Sequence, residues 1–289
     1  MKKQVKSKRS KGKSVESQDT VDNVKVKNQK PTVETVTPTT LETAPKKAKP
    51  VEVKHLLCLL GDESLVKEYS TVFQEQGISV LELKNLNTLK TSAKKITTAL
   101  ELTVVSGDNK RKNLDALNNA LPENVPIITS TLTETLLSQT QSLQHRHRFV
   151  GIAAFPTLIS NHLVELAPSL YTTKEILDSV ITLFSAAKKE TATVQDSVGM
   201  VMPRILCQII NEGLFTVQND VASPNDIDEA MKHGTNYPHG PIAWGELIGF
   251  STVAAVLDAL YHNHHEERYR VAPLLRQMAI AGVFWKEKN

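Results

Sequence analysis

The chain has 289 residues, of which 34 are Lys or Arg, 31 are Asp or Glu and 40% are hydrophobic. Its formal charge of +3 is unevenly spread: over residues 1–54 basic residues outnumber acidic ones fourteen to six, leaving the remainder net negative. No apolar run reaches 18 residues, because Glu246 and Asp258 interrupt the most hydrophobic stretch, and this excludes a membrane-spanning helix; Cys58 and Cys207 alone exclude a disulfide framework.

Residues 1–54 contain no aromatic side chain, prolines at 31, 38, 45 and 50, and lysine clusters that include Lys2-Lys3 and Lys46-Lys47. Such a segment buries too little apolar surface to offset its ordering entropy, and reads as a disordered basic tail. Its charge suits contact with nucleic acid or another polyanion, or plain solvation, with no aromatics interleaved for base stacking. No apolar segment follows the N-terminal charges as it would in a secretory signal, and the sparse cysteines fit a reducing, cytoplasmic setting.

From residue 55 the pattern alternates. His55–Gly61 is a short apolar run ending in glycine, as a buried parallel strand would be. Leu65, Val66, Tyr69, Val72 and Phe73 then mark one helical face, which Gly77 terminates before a second strand at Ile78–Leu83. Further strands are expected at Leu102–Ser106, Pro126–Thr129 and Val150–Phe155. Strand and helix in alternation imply crossovers and a parallel sheet. After about residue 197 the pattern is helical throughout, with Ser223-Pro224-Asn225-Asp226 a strong start signal. Trp244, Ile248, Phe250, Val253, Val256, Leu257 and Leu260 read as one apolar helical face, suited to core or a subunit interface. The expected organisation is α/β followed by all-α: a tail over 1–54, a sheet domain over 55–194 and a helical domain over 195–289.

The C-terminal part carries a specific resemblance. Gln195–Asn219, Ala222–Pro241, Glu246-Leu-Ile-Gly249 and Arg268–Arg276, in that order, resemble the C-terminal domain of the 3-hydroxyacyl-CoA dehydrogenases. Upstream, Arg148-Phe-Val-Gly151 and Leu163-Val-Glu165 look like that family's last Rossmann strands. The resemblance implies a Rossmann-like domain, a helical dimerisation domain, and NAD-dependent oxidation of a 3-hydroxyacyl-CoA in the cleft between them.

Carried over position by position, the resemblance also implies losses. The family's catalytic His falls on Ala153, its first Asn on Pro156 and its second Asn on Pro203, while its Ser falls on Leu132, flanked by Thr131 and Thr133. Only the carboxylate that orients the His is retained, as Glu165. Ala153 cannot accept a proton, and a proline side chain donates no hydrogen bond. Three histidines stand near enough in sequence to be weighed as a substitute base: His162 falls on the strand face opposite Glu165, and His145 and His147 read as solvated loop residues. The cofactor loop is Gly61-Asp62-Glu63-Ser64-Leu65-Val66, one glycine where a dinucleotide site wants three, with two carboxylates where phosphates would lie. Asp62 is expected to cap the following helix. The ribose-binding acid falls on Lys84, with Glu82 an alternative. Asn85–Thr98 is too short for the family's CoA-holding helical hairpin. His262, His264, His265 and Glu266 lack a matching fourth metal ligand and read as surface residues. If α-helical structure begins near Val198, Pro203 must either kink that helix or push its start to about Met202.

The expectation is therefore a degenerate 3-hydroxyacyl-CoA dehydrogenase homologue, binding no cofactor and pairing as a homodimer or heterodimer through its helical domain. Two alternatives stand beside it. One is an active NAD-dependent 3-hydroxyacyl-CoA dehydrogenase with a rebuilt active site, supported by the resemblance and Glu165, with Gly61 the one remaining candidate cofactor-binding glycine; the other is a scaffold whose tail binds a polyanion.

Overall fold

β1 (Leu56–Gly61) lies inside the sheet with a parallel neighbour on each side, and Leu57, Cys58 and Leu59 are wholly buried because an apolar cluster covers each of its faces, Leu57 and Leu59 in one and Cys58 in the other. The computed structural model describes residues 55–282, so the basic tail read from 1–54 lies outside the described residues. After β1 come α1 (Glu63–Glu75), β2 (Ser79–Glu82), α2 (Asn87–Ser92), β3 (Thr98–Leu102), α3 (Asp108–Ala120), β4 (Ile127–Ser130) and α4 (Leu136–Gln139). Then follow β5 (Phe149–Ile152), β6 (Leu163–Pro168), α5 (Lys174–Ala186) and β7 (Glu190–Thr193). The strands form one sheet in the order β2-β1-β3-β4-β5-β6-β7. The helical part comprises α6 (Met202–Gln218), α7 (Pro224–Thr235), α8 (Pro241–Ile248), α9 (Phe250–His264) and α10 (Pro273–Ala281).

Four features differ from the expectations. The third strand is Thr98–Leu102, not Leu102–Ser106. Its pattern was masked by Glu101, a charged residue buried in a strand because Lys110 meets it at 2.8 Å in equal burial. The fifth strand stops at Ile152, since the Phe155 N–H turns back onto the Ala153 carbonyl at 2.9 Å. The sheet is not wholly parallel: β6 runs antiparallel to β5. Residues 153–162 hold only a single 3-10 turn, too little chain for a parallel crossover, so the strand returns beside its predecessor in the opposite sense. The apolar stretch from Trp244 to Leu260 is two helices, not one, bent by 97° at Gly249, whose φ of +91° few side chains tolerate.

Other expectations hold. Ser223 caps α7, its hydroxyl accepting the Asp226 N–H at 3.2 Å. The interval between β2 and β3 holds α2 and a 3-10 turn at Ala93–Lys95, and no helical hairpin. Of the two outcomes for Pro203, the late start is the one found: α6 begins at Met202.

Sheet and helices share one apolar core, which runs from Leu57 and Phe73 through Ile152 and Phe155 to Cys207, Val253 and Leu275. A second cluster under α3 and α2, including Cys58, Leu89 and Leu117, covers the other sheet face. Among the described residues no single helix is long and apolar enough to cross a membrane.

Candidate functional site

In an open α/β sheet, ligands bind outside the carboxyl ends of the strands where the strand order reverses. Here that point lies between β1 and β3. Gly61 ends β1 with φ +124°, and a Cβ there would stand 2.5 Å from the Thr103 nitrogen, so only glycine fits against the end of β3. Asp62 follows at the first position before α1, in extended conformation, but does not cap that helix as expected. Its Oδ2 instead accepts the Val104 N–H across the crevice at 3.0 Å. The segment after β3 supplies a buried amide within reach, and the Asp62 carboxylate takes it. Glu63 is exposed on the first turn and pairs with Lys67 at 2.8 Å. Lys84 is exposed beside the end of β2, and Glu82 is exposed within it.

The second region lies where the sheet meets α6. Ala153 and Phe155 are almost wholly buried, Pro156 is half-buried, and Leu132 is wholly buried. Glu165 is 7% exposed, and both its carboxylate oxygens are taken: Oε2 by the Val201 N–H and Oε1 by the Met202 N–H, each at 2.8 Å. These are the first donors of α6. The next residue, Pro203, has none, and the Arg204 N–H reaches the Gly199 carbonyl at 3.1 Å. The start of α6 is thus fully satisfied with Glu165 as its cap.

The histidines stay apart from this carboxylate. His162 is exposed and precedes β6, whose first residue is Leu163. His145 lies 3.5 Å from Glu123, and its ring meets His147 edge-on. His264 faces Arg204 at 3.1 Å. Of the hydroxyls at the end of β4, Thr133 is committed to the Val104 carbonyl at 2.7 Å, whereas the buried Ser130 and Thr131 hydroxyls have no partner. The motif Arg148-Phe-Val-Gly151 has a structural basis. Arg148 is wholly buried and donates to the carbonyls of Asn118, Leu121 and Pro122, closing the end of α3. A Cβ on Gly151 would lie 2.7 Å from the Thr131 methyl.

Sequence reading missed two further groups. Asp196 accepts the Leu136 and Leu137 N–H groups at 2.7 and 2.8 Å, tying the segment before α6 to the start of α4; burial raises its carboxyl above the ordinary range, partly offset by those N–H groups. Glu101 collects Lys110, Asn113, Thr129 and the Thr103 N–H into a buried network beneath the crevice. The one available signal was a charged residue inside the apolar run Ala99–Leu102.

A Rossmann-like sheet followed by a helical domain, with a glycine turn at the switch point, places the chain in the two-domain class built on a dinucleotide fold. The profile for the NAD binding domain of 3-hydroxyacyl-CoA dehydrogenase matches residues 63–197, and that for the C-terminal domain matches residues 199–289. The chain belongs to the 3-hydroxyacyl-CoA dehydrogenase family. It is 32% identical to the 3-hydroxybutyryl-CoA dehydrogenase of Clostridioides difficile over 183 residues, covering 63% of this chain and 65% of that protein. With the 3-hydroxyadipyl-CoA dehydrogenase of Escherichia coli it shares 46% identity over 92 residues, 32% of this chain and 19% of that one. The match therefore spans less than two thirds of the length of each relative. The crystal structure of (S)-3-hydroxybutyryl-CoA dehydrogenase from Ralstonia eutropha superposes with a TM-score of 0.64 at 25% identity, over 79% of this chain and 94% of the other.

Proposed function

We propose that this protein is a non-catalytic member of the family, with a structural or regulatory role linked to fatty acyl-CoA metabolism in the cytoplasm. The observation that carries this reading is Glu165. Both of its oxygens bond to the start of α6, next to a strand end that offers Ala153 where the family resemblance puts the base. A carboxylate so engaged orients a helix, and no imidazole stands beside it to be oriented.

The cofactor residues argue the same way. NAD needs glycines that let the backbone approach its pyrophosphate at the start of α1, and a site without opposing carboxylates. In this chain Asp62 spans that crevice to Val104, and Glu63 adds a second carboxylate. The residues present, one glycine and two carboxylates in the loop after β1, do not fit the dinucleotide. What remains is a helical domain with apolar groups exposed on α6 and just before it, among them Val201, Met202 and Ile205, suited to pairing with a second copy or a relative.

A dehydrogenase assay with NADH and a 3-ketoacyl-CoA, run beside calorimetric titration of NAD, tests the reading; no turnover and no heat of binding are expected. The rival, an active NAD-dependent enzyme with a rebuilt site, draws on one observation: Ser130 and Thr131 offer buried, unpartnered hydroxyls at the end of β4. Micromolar NAD binding with turnover lost in Thr131→Val would establish the rival.

A further inference from the structure

The sheet face under α2 and α3 is covered by little chain. α2 has six residues, and the smaller apolar cluster beneath it leaves Leu86, Ala116 and Ala120 only partly buried. Between the two helices opens a groove of about 520 Å³. Its apolar lining is Leu86, Leu89 and Ala93 from the α2 side and Ala116 and Ala120 from α3. Leu86, Leu89 and Ala93 are spaced three and four residues apart and the two α3 alanines four, so each set lines one wall. The alanines project only a methyl group, which lets an opposing backbone come close.

The polar lining is Asn87, Lys90 and Asn119, all exposed. A small-molecule site converges fixed polar groups on its ligand, and none of these is fixed by burial, so the groove suits side chains presented by a macromolecule. Charge selects which. From Leu83 to Leu100 the sequence holds Lys84, Lys90, Lys94 and Lys95 and no acidic residue, although the body is net negative. None of the four is in an ion pair within 4.0 Å among the described residues. Asp115 of α3 lines a separate cavity on the α4 side. We propose that this groove docks an amphipathic helix of another protein, its apolar stripe on Leu89, Ala93, Ala116 and Ala120 and its acidic flank facing Lys90, Lys94 and Lys95. Burial of the stripe supplies affinity, and the rim charges set register and association rate. The groove lies over the smaller cluster whereas α6 belongs to the shared core, so this docking is separate from pairing through α6 and does not depend on the loss of catalysis.

Fluorescence anisotropy on the full chain tests it with three synthetic peptides of equal length. One carries a leucine stripe flanked by glutamates, one the same stripe flanked by lysines, and one the first composition scrambled so that no stripe forms. The first is expected to bind roughly tenfold or more tightly than either of the others, and to weaken as salt is raised. The scrambled peptide keeps the charge, so attraction to the lysines of residues 1–54 acts on both acidic peptides alike. Ala116→Glu and Ala120→Glu are each expected to remove the preference for the striped acidic peptide. The pair Lys90→Glu with Lys94→Glu should do the same without moving the melting temperature, since both side chains are exposed. Hydrogen exchange should slow on binding over residues 86–93 and 116–120. Binding no tighter than that of the scrambled peptide, equal binding of the lysine-flanked one, or binding unmoved by the alanine and lysine variants overturns the proposal. Displacement of the peptide by an equal concentration of a single-stranded DNA oligonucleotide overturns it too, in favour of a polyanion surface.

Discussion

Glu165 joins β6 to the start of α6. Beside a histidine it would orient a base; beside Ala153 it bonds two N–H groups of α6. Glu165→Gln keeps one acceptor and turns a donor toward the other amide, so the variant should lose about 1–3 kcal/mol in urea unfolding. Glu165→Ala should lose at least as much, and an unchanged midpoint would contradict the capping role. The cysteines give a second residue-scale expectation. Burial pushes the Cys58 thiol up to about 12 and raises Cys207 as well. A raised thiol stays protonated from neutral pH to well above pH 8, and the thiolate is the reactive form. Iodoacetamide at pH 8 should therefore label neither cysteine in the folded protein and both in denaturant.

At the scale of elements, one device recurs. Three helices begin on a carboxylate borrowed from another segment: α6 on Glu165, α4 on Asp196, and α8 on Asp228, which accepts the Ile242 and Ala243 N–H groups at 2.8 and 2.9 Å. Each such carboxylate ties two elements together while satisfying donors that no residue within the helix can reach. The β3–α3 contact works differently, through the buried Glu101–Lys110 pair. Removing one partner leaves an uncompensated charge, so Lys110→Met should cost about 3–5 kcal/mol. The double variant Glu101→Leu with Lys110→Met should recover only part of that loss, because Asn113, Thr129 and the Thr103 N–H also lose their acceptor, and a double-mutant cycle in urea checks it. Gly249 sets the bend between α8 and α9 at φ +91°. Gly249→Ala is expected to destabilise by about 1–3 kcal/mol, read as a lowered melting temperature, because a Cβ strains that backbone whatever the space around it.

For the whole molecule, the shared core joins sheet and helices. Val201, Met202 and Ile205 remain exposed at one end of α6, and burying such a face yields roughly 25 cal/mol per Å² of apolar area. Sedimentation of the full chain at tens of micromolar should show a dimer, and Ile205→Asp should shift it toward monomer. The sequence by itself determined the α/β-then-helical order, the positions of most strands, the family, and the glycine-poor, acidic loop after β1. These follow from local pattern and from residue identity, which need no knowledge of partners. It did not determine that β6 turns antiparallel, that β3 accepts a buried glutamate, or that Asp62 prefers Val104 to its own helix. Those outcomes depend on which donors and charges distant segments bring into reach: Lys110 makes Glu101 tolerable, and Val104 claims Asp62. Only the tertiary structure brings those partners within hydrogen-bond distance, where an unpaired buried polar group costs more than any local preference supplies.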